Sequence, residues 1–253
     1  MGQDGGGLEG RSGGRGRLAL VHGFTQTGRA WAPLLWAFAG HFEVLTPDLP
    51  GHGRRAERSA GLWEAARLIG EDCGRAAYVG YSMGGRVALH LALARPDLVE
   101  RLVLVGATAG IADEDERAAR RQADDDLARS LEEDGVESFL ERWLARPLFA
   151  GLSRQAAGVD ARLENTGAGL AASLRLMGTG VQEPLWGRLS ELRMPVLLVA
   201  GERDAAFARA AGQMADGIGA QARVALVPGA GHACHLEQPA AFADVVLPFV
   251  SST

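Results

Sequence analysis

The stretch Ala76–Arg86, AAYVGYSMGGR, contains the pattern that decides the fold. An apolar run at 76–79 predicts a β-strand, and a helical pattern begins at the end of the stretch. Between them, Gly80 and Gly84 flank Ser82. A tight strand-to-helix turn forces its central residue into a strained backbone conformation, and flanking glycines leave room for the close approach. We therefore expect the Ser82 hydroxyl to project beside a helix N-terminus, whose free N–H groups favour negative charge.

The same alternation of strand and helix extends over most of the chain. Strands are predicted at 18–21, 42–46, 76–79, 101–105, 196–200 and 223–227. Helices are predicted at 31–39, 62–69, 86–94, 207–214 and 239–250. Strands that alternate with helices indicate a parallel sheet covered on both faces. We therefore predict an α/β fold with a mostly parallel central sheet flanked by helices.

The middle of the chain has a different character. Between 108 and 192 the β runs stop, and charged helical stretches occur at 113–133 and 136–144. We interpret 17–107 and 193–253 as one α/β core, and 108–192 as a helical cap inserted over the C-terminal edge of its sheet. Residues 1–16 are rich in Gly and Arg, and we interpret them as a flexible tail.

Composition restricts the classes of function. Of the 253 residues, 47% are hydrophobic and 23% are charged, which favours a packed core. The net charge of −5 argues against nucleic acid or an anionic membrane as a partner. Apolar runs all fall short of the roughly 18 residues of a membrane span. The two cysteines have no C-x-x-C spacing, so we expect no disulfide framework and a cytoplasmic protein.

The 26 basic residues are all arginine, and lysine is absent. A Schiff-base lysine for pyridoxal phosphate and a phosphate-loop lysine are therefore excluded, and we predict no cofactor. A uniform preference for arginine, with abundant Ala and Gly, indicates a bias of genome composition. Each single arginine is therefore weak evidence of a function.

A serine nucleophile or base needs a histidine, and the histidine needs a carboxylate that orients it. Asp204 follows the predicted strand at 196–200, and His232 follows the predicted strand at 223–227. Both lie at C-terminal strand ends, where open α/β sheets bind ligands. The order Ser82, Asp204, His232 is also the one expected for this architecture, so we predict that these residues form a catalytic triad.

Other residues offer alternatives to this triad. Glu202 could replace Asp204 as the acid. His235 follows His232 by three residues, and the pair could mimic a metal site, although the sequence suggests no third ligand and we predict no metal. The remaining histidines are interpreted as structural: His22, His41, His52 and His90.

An oxyanion hole should be built from backbone N–H groups. One should come from Met83, directly after the serine, and the other from the loop after the first strand, where Phe24 is the natural choice. The alternative is that His22-Gly23 merely turns the chain.

Four segments together resemble the α/β hydrolases, and the resemblance covers nearly all of the chain after Arg17. They are LALVHGFTQTG at 18–28, DLPGHG at 48–53, GYSMGGRVA at 80–88 and GAGHACHLEQP at 229–239. More narrowly, the chain resembles the 2-succinyl-6-hydroxy-2,4-cyclohexadiene-1-carboxylate synthases of menaquinone biosynthesis. This closer resemblance depends on HGFT at 22–25, GYSMGGR at 80–86, ERAAR at 116–120, WLARPLFA at 143–150 and RLENTG at 162–167. The Gly-rich residues before Arg17 depart from the family, because they suggest no leading β-hairpin.

The closer resemblance implies a lyase that eliminates pyruvate from 2-succinyl-5-enolpyruvyl-6-hydroxy-3-cyclohexene-1-carboxylate, with the triad serine as the base. It implies that Arg86, Arg120 and Arg162 bind substrate carboxylates, and that Tyr81 and Trp143 line the pocket. Physical chemistry agrees, because a small polycarboxylate entering a low-dielectric pocket needs paired positive charge, which arginine supplies in bidentate geometry. Each cap arginine could equally lie on a solvated helix face, and Trp143 could belong to the core of the cap.

Two other classes of function remain open from the sequence. A carboxylesterase or carbon–carbon bond hydrolase would use the same triad through an acyl-enzyme. The arginines named above argue for the lyase, because an apolar ester needs no such cluster. A ligand receptor on a hydrolase scaffold is the other alternative, and an intact Ser–Asp–His set argues against it.

Overall fold

The computed structural model describes residues 15–252, so all but the last two residues of the predicted tail lie outside the described part. Six strands form one sheet in the order β2-β1-β3-β4-β5-β6. All neighbouring strands in this sheet are parallel. The strands are β1 (Arg17–Val21), β2 (Glu43–Leu45), β3 (Ala76–Tyr81), β4 (Val99–Val105), β5 (Val196–Gly201) and β6 (Ala222–Val227). The prediction of an α/β fold with a parallel sheet is confirmed.

Nine α-helices connect or flank these strands within the described residues. They are α1 (Leu35–Phe38), α2 (Leu62–Cys73), α3 (Met83–Ala94), α4 (Glu114–Leu144), α5 (Val159–Arg162), α6 (Gly167–Met177), α7 (Ala205–Ile218), α8 (Cys234–Glu237) and α9 (Pro239–Ser251). Short 3₁₀ turns occupy Gly28–Leu34, Gly53–Arg55, Pro96–Leu98, Pro147–Phe149 and Trp186–Glu191.

Hydrophobic packing covers the sheet on both faces because successive strand side chains point to opposite sides. All six residues of β3 are buried. Tyr78 belongs to the cluster formed with α2, α3 and α7, whereas Val79 belongs to the cluster formed with α1 and α9. A continuous apolar run is the expected pattern for a central strand of a parallel sheet. β6 lies at the edge and leaves Val224 and Leu226 exposed.

Four predicted helix boundaries are wrong. The helix expected at 207–214 spans Ala205–Ile218. The helix expected at 31–39 is a 3₁₀ segment over Gly28–Leu34 followed by the single turn α1, and Pro33 lies inside that segment and supplies no backbone N–H. The helix expected at 62–69 continues to Cys73. The helix expected from Arg86 already begins at Met83, directly after the serine.

The segment between β4 and β5 is helical. α4 is broken at Gly135, where φ is +77°, a backbone conformation that favours glycine. The break separates the two stretches predicted from charge and periodicity. α4 packs against α6, which the sequence patterns did not predict. The residues buried between these helices and the neighbouring loop are Ala128, Leu131, Phe139, Trp143, Phe149, Leu170, Ala171 and Leu174. Within residues 15–252, every helix is too short or too polar to span a bilayer.

Five of the six histidines are buried, and four of these have a lowered pKa. Burial lowers the pKa of His22 and His90 to about 4, and that of His52 and His235 to about 3. His22 is held as the neutral ring, since its Nδ1–H donates to Gly23 O at 2.9 Å and its Nε2 accepts the Leu49 amide at 3.0 Å. Protonation of Nε2 would remove that acceptor.

We predict that the protein loses stability as the pH falls from 6.5 to 4. In this window the unfolded chain binds protons on these histidines while the folded chain does not, so the free energy of unfolding decreases as the pH is lowered. Because the pKa values of all four histidines are lowered well below 6.5, each of them contributes to this loss of stability. Urea unfolding at pH 7.5, 6, 5 and 4.5 measures the change.

A matched pair of variants separates the effect of histidine burial from a sensitivity to low pH that has other causes. His90→Gln should make the pH dependence shallower, because one buried titrating group is removed. His41→Ala should leave it unchanged, because His41 is exposed. A free energy of unfolding that stays constant between pH 7.5 and 4.5 would contradict the prediction.

Candidate active site

Ser82 lies in a strained turn between β3 and α3. Its φ is +50° and its ψ is −110°, a conformation that non-glycine residues rarely adopt. A Cβ atom at Gly80 would lie 2.5 Å from Gly84 O, and one at Gly84 would overlap the carbonyl of Val21. The Ser82 amide donates to Val105 O of the neighbouring strand at 2.8 Å. The two glycines therefore permit the close approach that fixes the serine at the carboxyl end of β3.

Two neighbouring strands deliver the acid and the histidine. Asp204 follows β5 and caps α7, where its Oδ1 accepts the Phe207 amide at 3.3 Å. His232 follows β6, and its Nδ1 lies 2.8 Å from Asp204 Oδ2. Its Nε2 lies 3.3 Å from Ser82 Oγ. The structure thus brings together three residues that are up to 150 positions apart.

The geometry defines the proton positions. An ionised carboxylate only accepts hydrogen bonds, so Nδ1 of His232 carries the hydrogen and donates it to Asp204. Nε2 is then the acceptor for the Ser82 hydroxyl. His232 and Asp204 are 3% and 9% exposed, so little water competes for their hydrogen bond. This arrangement can take a proton from the serine and return it to a leaving group.

The alternative residues lie elsewhere. Glu202 is exposed and accepts the Gly229 amide at 2.8 Å, so it does not contact the imidazole. His235 is fully buried, with its ring centroid 4.7 Å from that of Trp31 and 4.2 Å from that of Tyr81. Within the part of the chain that the structure describes, three metal-ligating side chains meet nowhere.

The two residues predicted to donate to an oxyanion lie on either side of the serine. Met83 is the first residue of α3, where helical N–H groups have no partner within the helix. Phe24 lies in the loop after β1, and its amide donates to no other group of residues 15–252. In the same loop, the Gly23 amide donates to Gln26 Oε1 at 2.9 Å. Among the described residues, the Phe24 N–H therefore has no acceptor, whereas the Gly23 N–H is hydrogen-bonded.

The conformation of this loop is held by residues of the segment between β4 and β5. Thr25 has a φ of +68° and, with Ser82, is one of two non-glycine residues described with a positive φ. Arg162 Nη1 donates to Thr25 Oγ1. Asn165 Nδ2 donates to Thr25 O at 2.8 Å, and its Oδ1 accepts the Gly53 amide at 2.8 Å. Asn165 lies within the RLENTG motif at 162–167, but its contact with Thr25 was not predicted, because the two residues are 140 positions apart.

One cavity of about 270 Å³ lies above the serine, between the sheet and the helices α4 and α6. Nine of the ten predicted site residues line it, and Asp204 lies behind His232. The nine are Phe24, Tyr81, Ser82, Met83, Arg86, Arg120, Trp143, Arg162 and His232. The remaining lining residues are Leu148, Phe149, Leu174, Gly178, Thr179 and Phe207.

The cavity is cationic. Arg86 and Arg162 are 6% and 3% exposed, and burial lowers the pKa of each to about 10, so both stay charged at neutral pH. Among the described residues neither has a carboxylate partner: Arg86 contacts Gln182 Oε1 at 3.4 Å, and Arg162 donates to Ala157 O at 2.7 Å. Arg120 differs, since it pairs with Asp124 at 2.8 Å. Buried guanidinium groups without a counter-ion favour an anionic ligand.

Aromatic rings form the wall of the cavity. Trp143 packs edge-on to Phe24, with ring centroids 5.2 Å apart, and stacks on Phe139. Its indole N–H is buried and unpaired within the described residues, so it can donate to a ligand. Tyr81 lies against His232, with centroids 5.3 Å apart, and burial raises the pKa of its hydroxyl. Trp143 therefore contributes both to the wall and to the hydrophobic cluster between α4 and α6.

Comparison with known proteins agrees with this geometry. The model of the alpha/beta hydrolase family matches residues 18–245. A Bacillus subtilis (strain 168) protein provisionally named as a 2-succinyl-6-hydroxy-2,4-cyclohexadiene-1-carboxylate synthase is 35% identical, over 93% of this chain and 90% of its own. The synthase of that name from Enterobacter sp. (strain 638) is 34% identical, over 89% of this chain and 88% of its own. This chain belongs to the α/β hydrolase family. Within it, the chain belongs to the group of these synthases.

A solved structure supports the same group. MenH from S. aureus superposes with a TM-score of 0.88 at 30% identity, covering 94% of each chain. The resemblance predicted from the sequence motifs is therefore confirmed.

We predict that Asp204→Asn lowers kcat about 1,000- to 10,000-fold, as expected when the acid of such a triad is lost. The amide would donate to Nδ1 and favour the tautomer that cannot accept the serine proton. Glu202→Gln is the matched control and should retain the rate of the unmodified enzyme. Steady-state kinetics of the two folded variants decide between these carboxylates, and the reverse ranking would identify Glu202 as the acid.

Proposed function

We propose that this protein is a carbon–oxygen lyase that eliminates pyruvate from 2-succinyl-5-enolpyruvyl-6-hydroxy-3-cyclohexene-1-carboxylate. The product is 2-succinyl-6-hydroxy-2,4-cyclohexadiene-1-carboxylate, a precursor in menaquinone biosynthesis. The observation that carries this proposal is the pair of buried, uncompensated guanidinium groups beside a Ser–His pair. The names of the relatives support the same reaction.

The substrate's structure defines the electron flow. The hydrogen on ring carbon 2 lies next to the succinyl carbonyl, which makes it acidic. When this proton leaves, the C2–H electrons form a C2=C3 bond, the C3=C4 bond moves to C4=C5, and the C5–O bond breaks. Enolpyruvate departs and becomes pyruvate by gaining a proton on carbon. Atoms and electrons balance without an oxidant, a reductant or water.

Residues of the candidate site can stabilise the charges that develop during these reaction steps. Ser82 Oγ takes the proton from carbon 2 as its own proton passes to His232 Nε2, which Asp204 orients. Negative charge then develops on the succinyl carbonyl oxygen, where the N–H groups of Phe24 and Met83 can stabilise it. The imidazolium returns a proton to the departing enolpyruvate.

The positive charges select the substrate. The compound carries three carboxylates: on the ring, on the succinyl chain and on the enolpyruvyl group. We assign their binding to Arg86, Arg120 and Arg162, with Tyr81 and Trp143 forming the wall. Arg162 already bonds Thr25 and Ala157 O, and these use only part of its five N–H groups.

The remaining expectations follow from the same proposal. Residues 108–192 act as a cap over the core formed by 17–107 and 193–253. The partner is a small polycarboxylate rather than nucleic acid or a membrane, and the reaction needs no cofactor. A cytoplasmic location fits a protein with two buried, unpaired cysteines, Cys73 and Cys234.

We predict that the purified protein releases pyruvate from the enolpyruvyl compound, and that Ser82→Ala abolishes nearly all of this activity with the fold intact. The reason is loss of the oxygen that takes the proton. Coupled lactate dehydrogenase measures pyruvate, and circular dichroism monitors folding. Pyruvate release at the unmodified rate in this variant would refute the mechanism.

The hydrolase alternative has a distinct signature. An acyl-enzyme mechanism predicts a burst with activated esters and a covalent adduct on Ser82, whereas the lyase predicts little ester turnover. Ester turnover without pyruvate release would replace the lyase by a carboxylesterase or carbon–carbon bond hydrolase.

We predict that Arg86→Gln raises KM and lowers kcat, with a loss of kcat/KM of about 10- to 100-fold, because a charged hydrogen-bond donor to a carboxylate is lost. Arg129→Gln is the control, since Arg129 is half-exposed and pairs with Asp125 on the same helix. Equal kinetics for both variants would remove Arg86 from the binding site.

A further inference from the structure

We propose that Glu237 is the positioning residue that holds the loop bearing His232, and that this loop contacts the cap segment through it. The inference rests on the proposed function only in giving His232 a catalytic role. Glu237 is the last residue of α8, five positions after His232.

The Glu237 carboxylate binds the backbone on both sides of His232. Its Oε2 accepts the amide of Gly231 at 2.7 Å, and its Oε1 accepts the amide of Ala233 at 3.1 Å. These are the residues directly before and after His232. Hydrogen bonds to an ionised acceptor are about twice as strong as those between neutral groups. One side chain thus fixes the backbone on both sides of the imidazole.

Among residues 15–252, the Glu237 carboxylate accepts hydrogen bonds from no group other than these two amides. Glu237 makes no ion pair among residues 15–252, and it is partly buried in a cavity of about 360 Å³ beside the His232–Asp204 pair. Arg203 lines the same cavity without pairing with it. A partly buried carboxylate that accepts hydrogen bonds from two backbone N–H groups organises those groups.

The cap segment reaches the same carboxylate. Pro147, Leu148 and Gly151 form the opposite wall of this cavity. A Cβ atom at Gly151 would overlap Glu237 Oε2, so a side chain there would displace the carboxylate. This contact links the position of the cap loop to that of the histidine loop, in addition to the edge-on packing of Phe149 against His232 at a centroid distance of 6.3 Å.

The effect on the reaction follows from geometry. The His232 Nε2 to Ser82 Oγ distance of 3.3 Å is already at the long end for a hydrogen bond. A further displacement of about 1 Å in a reacting group can reduce the rate about 100-fold. The contact of Glu237 with the cap lies at Gly151, outside the helices α3, α4 and α5 that carry the substrate arginines, so loss of Glu237 should act on kcat and leave KM nearly unchanged.

The test compares Glu237→Ala, Glu237→Gln and Glu202→Gln. We expect kcat to fall about 100-fold for Glu237→Ala and about 10-fold for Glu237→Gln, whose single amide oxygen replaces one of the two acceptors, with KM changing less than about threefold. Glu202→Gln should behave as the unmodified enzyme, because Glu202 binds Gly229 in the same loop without flanking the histidine. An unchanged kcat in Glu237→Ala would overturn the proposal. A change in KM as large as the change in kcat would overturn it too.

A spectroscopic readout keeps the test independent of the substrate. The Nδ1–H of His232 bonded to Asp204 should give a downfield proton NMR signal in the unmodified protein and in Glu202→Gln, and this signal should weaken in both Glu237 variants. Gly151→Ala, which keeps every hydrogen-bonding group, should weaken it too. If the signal persists in folded Glu237→Ala, the proposal is wrong. If the unmodified protein releases no pyruvate, the proposed function fails while the NMR comparison still decides the role of Glu237.

Discussion

The close approach of backbone segments around Ser82 is the constraint on which the rest of the site depends. Gly80 and Gly84 lack the Cβ atoms that would overlap the neighbouring backbone, so the chain can turn directly from a central strand into a helix. The serine accepts a strained backbone conformation as a result. Its hydroxyl and the free N–H groups of the helix then lie at the same point, above the carboxyl ends of the strands.

The order of the strands distributes the remaining groups around that point. β3 lies between β1 on one side and β4, β5 and β6 on the other. The loop after β1 therefore supplies the Phe24 amide from one side, whereas the loops after β5 and β6 supply Asp204 and His232 from the opposite side. Parallel pairing brings all of these loops to one edge of the sheet.

The segment between β4 and β5 touches both sides of this arrangement. On the side of Phe24, Asn165 and Arg162 hold Thr25 in a positive-φ conformation. On the histidine side, Gly151 lies against Glu237. The segment between β4 and β5 thus lines the cavity and is also connected to the two loops that carry Phe24 and His232.

Much of the site could be predicted from local sequence, because its main residues lie at strand ends with glycine-rich turns. The early start of α3 was missed because Gly84 and Gly85 are poor helix formers, although burial against the sheet stabilises the turn they occupy. α6 was missed for a related reason, since its first turn contains Gly167 and Gly169. The contact of Asn165 with Thr25 joins residues 140 positions apart, and no local pattern specifies it.

The choice of arginine for the buried cations has a consequence for the unoccupied enzyme. Burial lowers the pKa of Arg86 from 12.5 to about 10, which still leaves the side chain protonated under physiological conditions. A lysine starts near 10.4, so a comparable depression would bring its pKa to about 8, close to the point where it loses its charge. A guanidinium therefore preserves the electrostatic attraction of the cavity between turnovers, when an ammonium in the same environment would be partly neutral.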